Sequence, residues 1–272
     1  MGIHEHHARN GKRLFLLSIF IFSLAIIAFI FEYVRTPRFQ WNKDTMTFIS
    51  IIITAFIFMI YSFVERERAK KIGTTIRIEG KSMLLHHHRF VVRREVAFVT
   101  TVTYFSMDGN TMGILKEEYE TNLQKLWKIF VSFFLSALIE KRFVLYNELG
   151  EAMLIIKQKA GMSYFYTFHD LAGNKIGGLK QILSLKKLKW LLLSEHDEEV
   201  GEINGDLYAN IQKGKWNDGS SIEVKEDAIP IEAIEYFSAS GGSLVNLSVV
   251  EKPMYEKALY YAAAAVLTLK NS

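Results

Sequence analysis

The 272-residue chain has no cysteine, which excludes disulfides, thiolate metal sites and cysteine nucleophiles and leaves its compartment open. It also has no nucleophile elbow, nucleotide-binding loop or paired-histidine metal motif. Charge is missing from two long stretches, Leu14–Phe31 and Thr45–Val64. The sequence pI is near 9.0, yet most of the chain has no basic excess. Ile72–Ser272 carries 23 Lys and Arg against 24 Asp and Glu, whereas Met1–Lys71 carries ten against five. Nucleic acid, which needs a basic patch on the folded domain, is therefore not expected as a partner. The local run Lys186, Lys187 and Lys189 reads first as a solvated face.

The two uncharged stretches each approach the roughly 20 residues needed to cross a hydrocarbon core about 30 Å thick. Leu, Ile, Phe and Val each favour insertion by about 0.3–0.6 kcal/mol, so their majority outweighs the few Ser and Thr. A cleaved signal peptide is the rival for the first stretch. Against it, the run is long, no small-residue cleavage site follows and a second span comes soon after. The expected order is a basic tail (1–13), a first transmembrane helix (14–34), a short loop (35–45), a second transmembrane helix (46–64) and a charged linker (65–75). Arg9, Lys12, Arg13, Arg66, Arg68, Lys70 and Lys71 flank one side, against Arg35, Arg38 and Lys43 in the loop. This bias places both termini in the cytoplasm of a multi-pass plasma-membrane protein.

After Gly73 the pattern changes to short aromatic and β-branched runs separated by polar turns, the mark of an antiparallel β domain. Strands are expected over Thr75–Glu79, Phe98–Phe105, Arg142–Tyr146, Ala152–Gln158, Tyr164–Phe168, Lys189–Leu193, Asp206–Gln212 and Ser221–Lys225. Turn signals lie at 108–110, 147–150, 170–174, 196–199 and 217–219. Two turns share one pattern, Gly109-Asn110-Thr111-Met112-Gly113 and Gly173-Asn174-Lys175-Ile176-Gly177. In each, the first Gly and the Asn suit positive φ, and the second Gly marks a bulge or a close backbone approach. These glycines lead into strands, not into a helix N-terminus that could hold an anion.

Two helices interrupt this pattern. Lys125–Glu140 carries a narrow polar stripe on an otherwise apolar helix too short to span a membrane. It packs on the domain or lies in the membrane interface with Trp127 at headgroup level. The final helix opens at Pro253, and Ala258–Leu269 has no charge and hardly a polar atom. A helix apolar all round must be buried in a large core or a membrane. Twelve residues rise only about 18 Å, so the core is its expected home. A closed sheet of about a dozen strands could hold it along the axis.

A many-stranded barrel around a hydrophobic C-terminal helix resembles the tubby C-terminal domain superfamily, which includes the plant LURP-one-related proteins and the phospholipid scramblases. Tyr164–Leu179, with Asp170, Gly173 and Gly177, looks like the strand–turn–strand unit of these families, and Pro253–Leu269 like their central helix. The resemblance covers about Ile76–Ser272 and is closest in kind to membrane-anchored tubby-like proteins of bacteria. It implies a closed antiparallel barrel of about twelve strands (76–272) around a buried helix (253–270). Tubby domains bind phosphoinositides through basic surface residues, but no motif here assigns such residues one by one. The scramblases carry their membrane helix at the C-terminal end, whereas this chain has an N-terminal hairpin, which argues against lipid translocation.

His4, His6, His7 and His86–His88 invite a metal reading. In a strand, however, His86 and His88 share a face while His87 points away, leaving two ligands where a closed zinc site needs four. His169-Asp170 closes a strand at a turn, where neighbouring side chains diverge. No catalytic residue, metal or cofactor is assigned, and a non-enzymatic binding or sensing module is expected. Its expected partners are the bilayer and either anionic lipid headgroups or a membrane protein. The candidate membrane-surface residues are Arg66, Arg68, Lys70, Lys71, Trp127, Lys186, Lys187 and Lys189. A scramblase-type lipid-moving protein and an enzyme are the alternatives.

Overall fold

In the computed structural model the chain forms two compact units, Met1–Arg77 and Ile78–Ser272. The structure describes residues 3–35, 43–75, 83–95, 99–119, 121, 139–161, 163–182, 188–206, 210–226, 228–237 and 242–270. The helix expected over Lys125–Glu140 lies outside these residues but for its last two positions, and so do Trp127, Lys186, Lys187 and the side chain of Lys71.

The first unit is a pair of 33-residue helices, α1 (Ile3–Arg35) and α2 (Lys43–Thr75). Both outrun the uncharged stretches. The basic segment before Leu14 is helical from Ile3, and the charged segment 65–75 continues α2 to its end. Glu, Lys, Arg and Ala are good helix formers, so the chain has no local reason to stop at the last apolar residue. Thr75, expected to open a strand, instead ends this helix.

The helices pack antiparallel. Phe22 meets Phe56 and Phe29 meets Phe48 edge to face along the apolar span. Beyond it, the Ser62 hydroxyl donates to the Gly11 carbonyl at 2.7 Å, and the His7 Nδ1–H donates to the Glu65 carboxylate at 2.8 Å. A Cβ on Gly11 would stand 2.8 Å from Arg66 Cγ, so the hydrogen at that position permits this approach. Ile3–Phe31 and Met46–Lys70 are long and apolar enough to cross a membrane. A core helix would be mostly buried, yet Ile27, Phe31 and Ile60 are 62%, 70% and 60% exposed.

The second unit contains twelve strands. They are β1 (Arg89–Arg94), β2 (Thr101–Phe105), β3 (Thr111–Glu118), β4 (Lys141–Asn147), β5 (Ala152–Lys159) and β6 (Phe165–His169), then β7 (Lys175–Ile182), β8 (Leu188–Leu193), β9 (Glu199–Asp206), β10 (Ile211–Trp216), β11 (Ser221–Glu226) and β12 (Ser243–Ser248). Each pairs antiparallel with the next, and β12 returns to β1, closing the barrel. The expected closed antiparallel barrel of twelve strands is therefore present. The segment expected as one strand over Asp206–Gln212 instead holds the end of β9 and the start of β10.

Five hairpins on one end of the barrel use the same turn. In each, the first residue's N–H bonds the carbonyl four residues on, and its own carbonyl accepts from the residue three on. The first residues are Ser106, Asn147, Asp170, Ser194 and Trp216. The fourth position is left-handed: Gly109, Gly150, Gly173 and Gly219 have φ of 76°, 83°, 93° and 90°, and Asp197 has 67°. This is the three-residue loop with a left-handed bulge residue. Asn110 and Asn174 do not take positive φ, contrary to expectation, because the preceding glycine supplies the one left-handed position. The second glycines do mark close approaches. A Cβ on Gly113 would stand 2.7 Å from the Tyr146 carbonyl, and one on Gly177 would stand 2.8 Å from Leu259.

The C-terminal helix α3 spans Met254–Lys270. Ala258 and Ala262–Leu267 are wholly buried and join one apolar cluster with Phe90, Tyr104, Leu115, Tyr166, Trp190 and Ile222. The helix touches β1, β5, β7, β11 and β12. Polar pins fix it: the Tyr104 hydroxyl donates to the Tyr261 carbonyl, and the Tyr261 hydroxyl donates to the His87 carbonyl, both at 2.9 Å. At its start Asp218 receives Lys252 at 2.7 Å, the Tyr260 hydroxyl at 2.5 Å and the Ser220 N–H at 2.8 Å. Burial opposes ionisation of Asp218, but these three donors outweigh it and hold the carboxyl well below its ordinary range.

Replacing Asp218 by Asn removes the charge that gathers these donors and should cost about 1–2 kcal/mol. Thermal unfolding should show a Tm roughly 2–8 °C lower at neutral pH. Because the folded-state value is depressed, that advantage exists above the unfolded carboxyl value and fades as pH falls below about 4. The gap between the two proteins should therefore close in acid; a constant gap would remove Asp218 ionisation from the account.

Candidate functional site

A groove of about 740 Å³ lies on the wall of the barrel across β9, β10, β11, β12 and the entry to β1. Strand alternation builds it, since successive side chains point to opposite faces. In β10, Gln212, Gly214 and Trp216 are buried while Lys213 and Lys215 are exposed. Register then aligns the outward positions into rows. One row reads Glu202, Lys215, Ser221, Ser248. The next reads Lys189, Asn204, Lys213, Glu223, Asn246, Arg89. The two small serines leave the hollow between longer neighbours.

Two carboxylates organise these rows. Glu223 receives Lys213 at 2.9 Å, Lys225 at 3.1 Å and the Asn246 amide at 3.1 Å. Lys213 does most to hold its carboxyl down, burial works against it, and Lys225 and Asn246 add to the effect, bringing it to about 2. Glu202 receives Lys189 at 2.6 Å and the Asn204 amide at 2.8 Å, and its carboxyl is likewise lowered. Both acids are thereby committed to their neighbours. Other groups remain open: among the described residues, Lys215, Ser221 and Ser248 have no hydrogen-bond or ion-pair partner at their side chains. His88 accounts for one ring nitrogen, Nδ1, 3.2 Å from the Leu247 carbonyl. That carbonyl can only accept, so Nδ1 carries the proton and Nε2 is left as an acceptor in the neutral ring.

Of the expected surface residues that are described, Lys189 reaches the groove's edge through its ion pair with Glu202. Arg66, Arg68, Lys70 and Lys71 belong to α2, where Arg66 lies 4.7 Å over the Phe15 ring, Arg68 bonds Glu65 and Lys70 bonds Glu67. His86 sits in a single 3₁₀ turn, Leu84–His86, ahead of β1 and not in a strand. Burial is the chief cause holding His87 below its usual range. Among the described residues no three His, Asp or Glu groups converge on a metal position. His169 bonds the Gly173 carbonyl and the Thr167 hydroxyl, each at 3.0 Å, while Asp170 caps Asn174 at 2.8 Å. Both therefore serve the β6–β7 turn.

No protein-family model, curated protein or solved structure matches the chain. The groove is read from its own chemistry.

The Glu223 hub generates a measurable expectation. An NMR titration of its side-chain carboxyl should give a midpoint near 2, rising in a Lys213→Ala variant and further when Lys225→Ala is added. A midpoint in the ordinary carboxylate range of about 4.3 would show that these ion pairs do not persist in solution.

Proposed function

We propose that this chain is a membrane-anchored binding or sensing module of tubby-like plan, with its barrel held at the cytoplasmic membrane face. The observation that carries this reading is the joining of two membrane-length helices to a barrel whose wall offers a groove of uncommitted polar groups. In the proposed plan α3 is the central helix enclosed by the sheet. Its burial on every side supports this, as do its contacts with strands as far apart around the ring as β1, β5 and β11.

The hairpin crosses the bilayer twice, with both termini in the cytoplasm. Antiparallel packing supports this by bringing Arg9, Lys12 and Arg13 to the same end of the hairpin as Arg66, Arg68, Lys70 and Lys71, with Arg35 and Lys43 toward the other. Cationic residues beside a span favour the anionic cytoplasmic leaflet by about 1 kcal/mol each. The module then works at high effective concentration on whatever shares that surface.

The natural absence of cysteine makes the test direct. Single-cysteine variants Asn42→Cys and Ser272→Cys are treated in intact cells with a membrane-impermeant maleimide, and the membranes are washed at alkaline pH. The protein should stay with the membrane, Asn42→Cys should label from outside and Ser272→Cys only after lysis. Release by alkali would overturn the anchor, and labelling of Ser272→Cys in intact cells would overturn the orientation.

A further inference from the structure

The groove's free hydrogen-bonding groups are of both kinds, and this narrows what can occupy it. A carboxylate only accepts, so the Asn204 and Asn246 amides turn their NH₂ groups to Glu202 and Glu223. Each carbonyl oxygen is thereby directed away from its carboxylate, and neither has a partner among the described residues. Together with His88 Nε2 they are acceptors awaiting donors. Lys215 is a cation awaiting an anion, and the Ser221 and Ser248 hydroxyls serve either role. The charge lining the groove is positive by one: Arg89, Lys213 and Lys215 stand against Glu202 and Glu223. That excess is local, because the chain beyond Lys71 is close to neutral.

A bare oxyanion would satisfy Lys215 and leave the amide carbonyls facing acceptor oxygens. A neutral polar ligand would leave Lys215 unanswered. An acidic peptide supplies main-chain N–H donors, carbonyl acceptors and carboxylates together. Its length also fits. Five strands at about 4.8 Å spacing make a wall about 19 Å wide, the span of roughly six extended residues.

We infer that the groove over β9–β12 and β1 docks an extended acidic segment of a protein partner, with a partner carboxylate on Lys215, Ser221 and Ser248 and its main-chain amides on Asn204 and Asn246. This rests on the groove being the binding surface, as proposed above, and is independent of the anchor and its orientation.

The probe is a fluorescein-labelled, capped hexapeptide of alternating glutamate and serine, titrated onto the full-length protein in non-ionic detergent and followed by fluorescence anisotropy. Saturable binding is expected, weaker by tenfold or more in Lys215→Glu and by threefold or more in Asn246→Ala and in Asn204→Ala. Lys157→Glu, exposed on β5 across the ring from the groove, should bind as the wild type does. Unchanged thermal unfolding of each variant separates lost contacts from lost fold. No saturable binding by the wild-type protein, or binding indifferent to Lys215→Glu, overturns the inference. Tripolyphosphate displacing the peptide at equal concentration, with Asn246→Ala without effect, also overturns it, while leaving the groove as a simple anion site. Tighter binding of an acidic oligosaccharide than of the peptide would give the groove to a glycan.

Discussion

A helix without a polar face cannot be left in water, and α3 meets that constraint by burying its side chains in one apolar cluster with residues of the strands. Ala258–Leu269 offers no side that could be solvated. Its buried members, Ala258 and Ala262–Leu267, make contacts with strands in several parts of the ring. Four consecutive alanines keep the helix slender, which lets the strands it touches approach closely. Gly177 shows how tight the result is, since a methyl group there would collide with Leu259. Closing the sheet also removes its edges, which in an open sheet of twelve strands would invite pairing with other chains.

Closure has a consequence for function. Each strand commits one face to the apolar cluster, so whatever the domain binds through its strands must be met on the other. There the residues are polar and their arrangement follows from register alone. Lys213, Glu223 and Asn246 are far apart in sequence, yet they become lateral neighbours because β10, β11 and β12 pair without slippage. A one-residue shift in any of these pairings would turn the row into the core and the core outward. The apolar residues between them, Ile222, Val224, Val245 and Leu247, enforce the register. Core packing is therefore what positions the groove.

The sequence was legible where one physical rule acted alone. Charge-free stretches announced α1 and α2, and the missing polar face announced α3. The hairpin turns were visible in Asp108-Gly109, Asn147–Gly150 and Asp218-Gly219, because left-handed backbone selects glycine. Strands with strong aromatic or β-branched content, such as β4, β6 and β8, were found nearly to the residue. Those missed were β1, β3, β7, β9 and β12; of these, β3, β7 and β9 read Thr-Met-Gly-Ile-Leu-Lys, Lys-Ile-Gly-Gly-Leu-Lys and Glu-Val-Gly-Glu-Ile-Asn at their starts. Glycine weakens local strand preference, but a strand hydrogen-bonded on both sides does not depend on that preference. The tertiary ladder decides such segments, and no window of sequence contains it.

The groove was illegible for a related reason. Its signal lies in pairs of polar residues two apart, Glu202 and Asn204, Lys213 and Lys215, Ser221 and Glu223, Asn246 and Ser248. Each pair alone describes the outer face of any half-buried strand. Only the cross-strand order distinguishes them, by placing one unpaired ammonium and two serine hydroxyls beside two carboxylates already satisfied by their neighbours. A near-neutral count over the whole domain likewise hid a local positive excess, because most of its acids lie elsewhere, among them Glu195, Asp197 and Glu198 in the β8–β9 turn. Net charge constrains solubility and long-range attraction. Recognition at contact distance depends on which charges have already been answered, and here Lys215 has not.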